Sequence, residues 1–413
     1  MQDKRKIYVA HASVGSGHKT AAHAISLATE MLQKEAGVAA DYEPEMIDIL
    51  DYGRIKFDGN KYATTFTGAT RPIYDITWRY TFTGRILWGG GTSFAHVMFP
   101  KFTKKVREEK PAAIICTHIT AANAAVGAKI ITKQNFPIIC VPTDYEVEGL
   151  WPHSYTDLFC VANEEMAETL RARHIPEDKI KITGMPTNPE FIQEYDRDEV
   201  CKEFNLPANK KLVLTIAGAS LLQPYIHIKK VIENLVPHMQ EFKNLHFVIV
   251  VGKDSEMKRE LKSFKEKHRI ENITVLGYVE QMAMLLNACD LVVCKAGGMT
   301  VTECLCAGTP MILTCRAYGQ EKANVKMLTA AGAAVHVTTS RELWSTLMQT
   351  DKNPHAHDGL KYAAMNIRKP NASIDIARET LLKIDEANQT LKNGKPRRHF
   401  IKIYIGNKPV HPR

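Results

Sequence analysis

The residues best equipped for chemistry lie in three clusters in the last third of the chain. They are Lys295-Ala296-Gly297-Gly298-Met299-Thr300-Val301-Thr302-Glu303, then Gly308-Thr309-Pro310, then Gly319-Gln320-Glu321-Lys322-Ala323-Asn324. An apolar run, Leu291-Val292-Val293-Cys294, feeds the first cluster and predicts a strand, a turn at Gly297 and Gly298, and a helix opening at Thr300. Two adjacent glycines let the backbone approach an anion closely, and the first free N–H groups of a helix point at it. That is the chemistry of a nucleotide diphosphate. Glu303, one turn further on, suits hydrogen bonds from a ribose diol. Gln320, Glu321 and Asn324 offer amide and carboxylate groups suited to sugar hydroxyls. A plain strand-to-helix turn with a capping Thr and a capping-box Glu would use the same Gly pair. Three polar clusters in succession favour the ligand site.

A second glycine turn lies near the other end. Residues 6–10 read as a buried strand, followed by His11-Ala12-Ser13-Val14-Gly15-Ser16-Gly17-His18-Lys19 and an Ala-rich helix from about residue 20 to 35. A strand, a turn holding Gly15 and Gly17, and a helix form the opening of a doubly wound domain. The third glycine of the dinucleotide fingerprint is missing, and no acidic residue is clearly placed at the end of a second strand. The loop is therefore expected to serve something other than NAD. His18 stands at a helix N-terminus, where the dipole disfavours imidazolium and keeps the neutral ring available as a base. A capping histidine without chemistry has the same sequence.

The elements that must position these residues alternate. Strands are predicted at residues 112–116, 137–141, 158–162 and 180–183, then at 212–216, 247–251, 273–276, 291–294 and 311–313, with helices between them. This rhythm implies parallel sheets covered on both faces. The Pro- and Asn-rich stretch after Gly184 punctuates the chain. The expected organisation is a first domain over residues 1–190, a second over 191–390 and a basic tail over 391–413. Both domains are expected to be α/β and doubly wound, with a cleft between them.

Composition narrows the class. At 413 residues, two domains are the natural prior. The start of the chain, Met-Gln-Asp-Lys-Arg-Lys, is expected to be free of a signal peptide, and no apolar run nears the length needed to span a membrane. The nine cysteines are scattered and form no close CxxC pair, so neither zinc nor a disulfide framework is expected. Cys304 and Cys306 read as core. These features point to a reducing cytoplasm. The net charge of +9 is uneven. Residues 52–105 hold nine Lys or Arg against Asp58 and Asp75, together with 12 of the 32 aromatics, among them Trp78, Tyr80 and Trp88, with Arg79 and Arg85 between. Residues 390–413 add seven basic and no acidic residues. Basic plus aromatic is the chemistry of an anionic membrane interface. It also serves single-stranded nucleic acid, and a solvated basic face over an aromatic core would give the same count. The expected partner is a membrane surface, with no nucleic acid.

Taken together these residues resemble the lipid glycosyltransferases that include monogalactosyldiacylglycerol synthase and the processive diacylglycerol glucosyltransferases. The resemblance runs over most of residues 6–330. It is carried by Gly15-Ser16-Gly17-His18 with Ala21-Ala22, Thr143-Asp144-Tyr145 with Trp151-Pro152-His153, Gly184-Met185-Pro186-Thr187-Asn188-Pro189-Glu190-Phe191, Val251-Gly252-Lys253, Gly277-Tyr278-Val279 and the run from Gly297 to Asn324. The chain departs at Tyr318, where many relatives have Pro, and in its tail. The resemblance implies a GT-B fold of two Rossmann-like domains, acceptor lipid on the first and sugar nucleotide on the second. It implies inverting transfer of glucose or galactose from a UDP-sugar to diacylglycerol, with no essential metal and no resident cofactor. His18 would be the base or orient the acceptor hydroxyl, with Asp144 and His153 as unranked supports. Backbone at Gly277, Tyr278 and Val279 would meet uracil. Gly297, Gly298 and Thr300 would meet the diphosphate, Glu303 the ribose, and Gln320, Glu321 and Asn324 the sugar. Gly15, Gly17, Trp78, Arg79, Tyr80, Arg85 and Trp88 would serve the acceptor and the membrane, placing the enzyme in the cytoplasm at the inner face of the cell membrane. The rival activities are N-acetylglucosamine transfer to a polyprenyl-linked precursor, an epimerase-like hydrolysis of the sugar nucleotide, and an inactive membrane-binding scaffold.

Overall fold

Twelve short, mostly apolar strands make two six-stranded parallel sheets in a computed structural model that describes residues 4–14, 16–35, 41–54, 97–153, 155–216, 224–314, 317 and 320–392. The chain divides into two units, residues 1–189 with 371–413, and residues 190–370.

The first unit runs β1 (Arg5–His11), α1 (Gly17–Glu35), β2 (Tyr42–Asp48), α2 (Pro100–Glu109), β3 (Ala113–Cys116), α3 (Ile119–Thr132), β4 (Ile138–Cys140), β5 (Leu158–Val161), α4 (Glu164–Ala172) and β6 (Ile180–Ile182). Its sheet order is β2-β1-β3-β4-β5-β6, all parallel. Both faces are covered, which is why β3, β4 and β5 are buried along their length instead of alternating. Ile7, Val9, Ile115, Ile139 and Leu158 from the sheet pack with Ala22 and Ile25 of α1.

The second unit runs α5 (Arg197–Glu203), β7 (Lys211–Ile216), α6 (Pro224–Leu235), β8 (Leu245–Val250), α7 (Ser255–His268), β9 (Ile273–Leu276), α8 (Met282–Ala288), β10 (Leu291–Cys294), α9 (Gly298–Ala307), β11 (Met311–Leu313), α10 (Glu321–Ala330), β12 (Ala334–His336), α11 (Ser340–Lys352) and α12 (Asp358–Ile367). Its sheet order is β12-β11-β10-β7-β8-β9. Val213, Phe247, Ile249, Ile273, Leu291 and Ile312 form its core with Ile232, Leu261 and Leu347 from the helices.

The last helix, α13 (Ala372–Lys392), corrects the expected domain limits. The second domain was expected to reach residue 390, but α13 returns to the first unit. Ile376 and Ile384 are fully buried in the cluster that contains Ala22 and Ile25, and Lys181 pairs with Glu379 at 2.7 Å. The pattern of a helix gives its apolar face but not the sheet that covers it.

Two strands differ from the expectation. The sequence Tyr-Glu-Pro-Glu-Met-Ile-Asp forms β2, an edge strand whose Pro and charges hide the strand pattern. It ends in Asp48, so an acidic residue does close the second strand. β12 is short and only partly buried. The segment 52–105 is described only at its ends. Phe99 and Phe102 are buried there, Tyr52 packs edge-on to Phe102 with ring centroids 5.9 Å apart, and Lys105 pairs with Glu109 at 2.6 Å and Glu45 at 2.9 Å. Phe99 and Phe102 are core, and Tyr52 is partly buried against Phe102. Gly15, Trp78, Arg79, Tyr80, Arg85, Trp88, Tyr318 and the tail from 393 lie outside the described residues. Among the described residues no helix is long and apolar enough to cross a membrane. The eight described cysteines are buried and free, Cys304 and Cys306 included.

Candidate active site

In a parallel sheet every strand ends at the same edge, and a crevice opens where the strand order reverses. In the first sheet that point lies between β1 and β3. The loop after β1 leads to His18, and the loop after β3 is Thr117-His118. The two loops meet at the imidazole of His18. Its Nδ1 is 2.9 Å from the Thr117 carbonyl and 2.8 Å from Thr143 Oγ1, while the Thr117 hydroxyl donates to the His18 carbonyl at 2.9 Å. A carbonyl only accepts, so Nδ1 carries the proton and Nε2 keeps its lone pair. The helix begins at Gly17, three residues before the expected start, which puts His18 in its first turn. Burial lowers the His18 pKa to about 4, against a smaller upward pull from the Thr117 carbonyl and with a further push down from His11. At neutral pH the ring is an uncharged base.

Two further histidines share this edge. His118 lies edge-on to His18, with ring centroids 4.6 Å apart, and its Nδ1 accepts from the Thr120 N–H at 3.1 Å as the cap of α3. Burial holds its pKa well below the usual value, and His18 and His11 push it the same way. His11 ends β1 opposite Asp48 and is 3% exposed. Burial lowers its pKa although Asp48 pulls upward. Asp48 is occupied: it accepts from the Ser13 N–H at 3.3 Å, the Leu50 N–H at 3.1 Å and the Ser13 hydroxyl. Thr117, Thr143, His11 and His118 were not expected as site residues from the sequence. The available signal was position, since each ends or follows a strand at this edge. Asp144 follows Thr143 in the loop after β4 and is half-buried, and His153 lies against Phe159 with ring centroids 6.0 Å apart.

In the second sheet the order reverses between β7 and β10. The loop after β10 is Lys295-Ala296-Gly297, and α9 starts at Gly298 with Gly297 as its cap. The helix therefore opens two residues before the expected Thr300, which is its third residue. No side chain caps this end, so the Thr and Glu capping box does not form. The first N–H groups of α9 have no intrahelical acceptor. Gly297 has φ −72° and ψ 131°, open to any residue, so its missing side chain leaves room rather than relieving strain. Asn324, expected to face a sugar, is fully buried and donates to the Ala296 carbonyl at 2.9 Å. It pins the turn. Glu321 pairs with Lys295, Oε1 to Nζ 3.0 Å. Gln320 precedes α10 and is half-buried.

Glu303 is half-buried in the second turn of α9, and desolvation raises its pKa to about 7. Among the described residues no cation offsets that shift. At the end of β9, Gly277 has no side chain beside Lys258, whose Nζ lies 3.1 Å from where a Cβ would stand. Tyr278 is 58% exposed under Lys253, whose Nζ is 5.5 Å from the ring centroid, and Val279 is half-buried. Thus β9, β10 and the start of α10 bring Gly277, Tyr278, Val279, Gly297, Gly298, Thr300, Glu303, Gln320 and Glu321 to one edge of one sheet. Among the described residues no three His, Cys, Asp or Glu side chains are grouped to hold a metal ion.

Comparisons with known proteins match the two halves separately. Residues 18–187 match the family described as monogalactosyldiacylglycerol (MGDG) synthase, and residues 215–392 match the glycosyltransferase family 28 C-terminal domain. The chain is 30% identical over 255 residues to a processive diacylglycerol beta-glucosyltransferase of Bacillus subtilis, covering 62% of this chain and 65% of that one. It is 31% identical over 229 residues to the protein of that description from Staphylococcus saprophyticus, covering 54% and 55%. It thus spans just under two thirds of the first relative and about half of the second. Among solved structures, MurG of Acinetobacter baumannii aligns with a TM-score of 0.56 at 15% identity, over 92% of this chain and 99% of that one. The UDP-GlcNAc 2-epimerase of Neisseria meningitidis bound to UDP-GlcNAc aligns with 0.59 at 15%, over 92% and 100%. At such identities these two show the fold, a GT-B pair of Rossmann-like domains.

Proposed function

We propose that this chain, whose halves match the monogalactosyldiacylglycerol synthase family and the glycosyltransferase family 28 C-terminal domain, moves a hexose from a UDP-sugar to diacylglycerol at a membrane surface. Glucose or galactose is the sugar of this reading, in line with the glucosyltransferase relatives. The observation that carries it is His18: a neutral imidazole at a switch point, with Nδ1 protonated by its contact to Thr117 and Nε2 left as base. Nε2 takes the proton of the acceptor hydroxyl as the hydroxyl attacks the anomeric carbon from the face opposite UDP. The uncapped start of α9 at Gly297, Gly298 and Thr300 meets the charge that develops on the departing diphosphate. Glu303 accepts from the ribose diol, backbone at Gly277 to Val279 meets uracil, and Gln320 and Glu321 face the sugar. Asn324 acts through the turn it pins. Asp144 and His153 remain supports on the acceptor side. The reading requires neither a resident cofactor nor a metal.

The basic, aromatic sequence of residues 52–105 supports peripheral docking on anionic lipid. The test of function is product formation: purified protein, UDP-glucose or UDP-galactose, and dioleoylglycerol in anionic vesicles should yield a hexosyl-diacylglycerol by mass spectrometry. His18→Ala should lower turnover at least ~100-fold with UDP binding kept. Loss of UDP binding in folded His18→Ala protein contradicts the role of His18, and absence of the glycolipid with either donor contradicts the function.

A further inference from the structure

Lys295 has no part in the reading above, yet its side chain lies beside the uncapped helix start. It follows β10 directly, at the switch point of the second sheet. Its Cε and Nζ lie 3.7 and 3.9 Å from where a Cβ on Gly297 would stand, so the ammonium flanks the bare α-carbon at the mouth of α9. It is held there by Glu321 alone among the described residues, at 3.0 Å, with side chains 36% and 23% exposed. An ion pair open to water to this degree is weakly held. A diphosphate placed on the N–H groups of α9 would bring more than one negative charge beside the ammonium, against the single charge of Glu321.

We propose that Lys295 is a catalytic residue whose ammonium exchanges Glu321 for the diphosphate of the nucleotide, and that this exchange frees Glu321 for the sugar. The inference rests on the reading that the second unit binds a UDP-sugar. In the transfer, the bond from the acceptor oxygen to the anomeric carbon forms and the bond from that carbon to the β-phosphate oxygen breaks. The electron pair stays on the phosphate oxygen and the acceptor proton goes to His18. Lys295 takes no part in the proton transfer and faces the oxygen that gains charge. Glu321 therefore reports whether the nucleotide has arrived: paired with Lys295 before, hydrogen-bonded to sugar hydroxyls after.

Calorimetric titration of the full chain with UDP and, separately, with uridine tests this. Lys295→Ala should lose at least tenfold in UDP affinity and keep its uridine affinity within a factor of two, because uridine carries no phosphate. Lys295→Arg should restore most of the UDP affinity. Glu321→Gln should bind UDP as tightly as the parent or a few-fold tighter, since the competing carboxylate is gone, while turnover of the UDP-sugar falls at least tenfold. Unchanged UDP affinity in Lys295→Ala, or an equal loss of UDP and uridine, overturns the assignment. Weaker UDP binding in Glu321→Gln overturns the exchange. These outcomes are separate from the failure of the functional reading: a parent protein that binds neither UDP nor uridine refutes the nucleotide site itself, whereas one that binds UDP and makes no glycolipid refutes the acceptor and leaves the Lys295 titrations decisive.

Discussion

The proton on Nδ1 of His18 decides whether its Nε2 can act as a base, and two threonines hold that proton in place. Thr143 touches Nδ1 at 2.8 Å through a hydroxyl, and Thr117 through a carbonyl that no substitution removes. Thr143→Val should lower kcat about tenfold with KM for the UDP-sugar unchanged, and Thr143→Ser should recover it; steady-state kinetics on the three proteins checks this. A matching rise in KM would mean that Thr143 serves the fold instead. Glu303 brings a pH dependence. Its folded carboxyl keeps its proton up to about 7, whereas the unfolded one releases it near 4.5, so the folded state binds more protons between these values. The stability linked to that proton is complete below pH 4.5 and lost as pH rises through about 7, on the order of 3 kcal/mol. A ribose diol, by contrast, donates to the carboxylate. Uridine affinity should therefore tighten from pH 6 to 8 in the parent and stay flat in Glu303→Gln. Thermal melts should show the variant more stable than the parent at pH 8 and equal at pH 5. At this scale the sequence revealed His18 and the Gly297 turn through motif spacing. It did not reveal Thr117, Thr143 or His118, because their role comes from strands that meet only in the folded sheet. Asn324 was legible as polar and near the site, but not as buried.

Single elements set the geometry. The start of α9 is defined by the bare α-carbon of Gly297, where a Cβ would make ordinary contact at 3.7 Å and φ is unstrained. Gly297→Ala should leave the melting temperature within ~2 °C of the parent, yet weaken UDP binding at least tenfold, because the methyl would stand in the path of the proposed diphosphate. Unchanged UDP affinity would place the anion elsewhere. Helix α13 belongs to the first sheet by packing. Ile384→Ala removes a buried side chain and should cost ~2–4 kcal/mol. Hydrogen exchange should show the loss in β1, β3 and α1, with β7 to β12 unaffected. Strand β2 was illegible because Glu43, Pro44 and Glu45 break the apolar pattern of an edge strand, whereas fully buried β3, β4 and β10 were evident as continuous apolar runs. The starts of α1 and α9 lie three and two residues before the expected ones, whereas α13 starts where it was expected.

For the whole molecule, alternating strands and helices made two doubly wound sheets readable, and the switch points of those sheets coincide with the two glycine turns. Sheet order was not readable, because it depends on which strands cross over, and the return of α13 to the first unit depends on tertiary packing that no local pattern shows. The central claim is that transfer needs both a UDP-hexose and a lipid hydroxyl. The most direct test is UDP release by purified protein with UDP-glucose, UDP-galactose and UDP-N-acetylglucosamine in turn, each with and without dioleoylglycerol in anionic vesicles. The account predicts release with one of the two hexose donors, dependent on the lipid and lost in His18→Ala. Release that ignores the lipid, or that occurs only with UDP-N-acetylglucosamine, would contradict it.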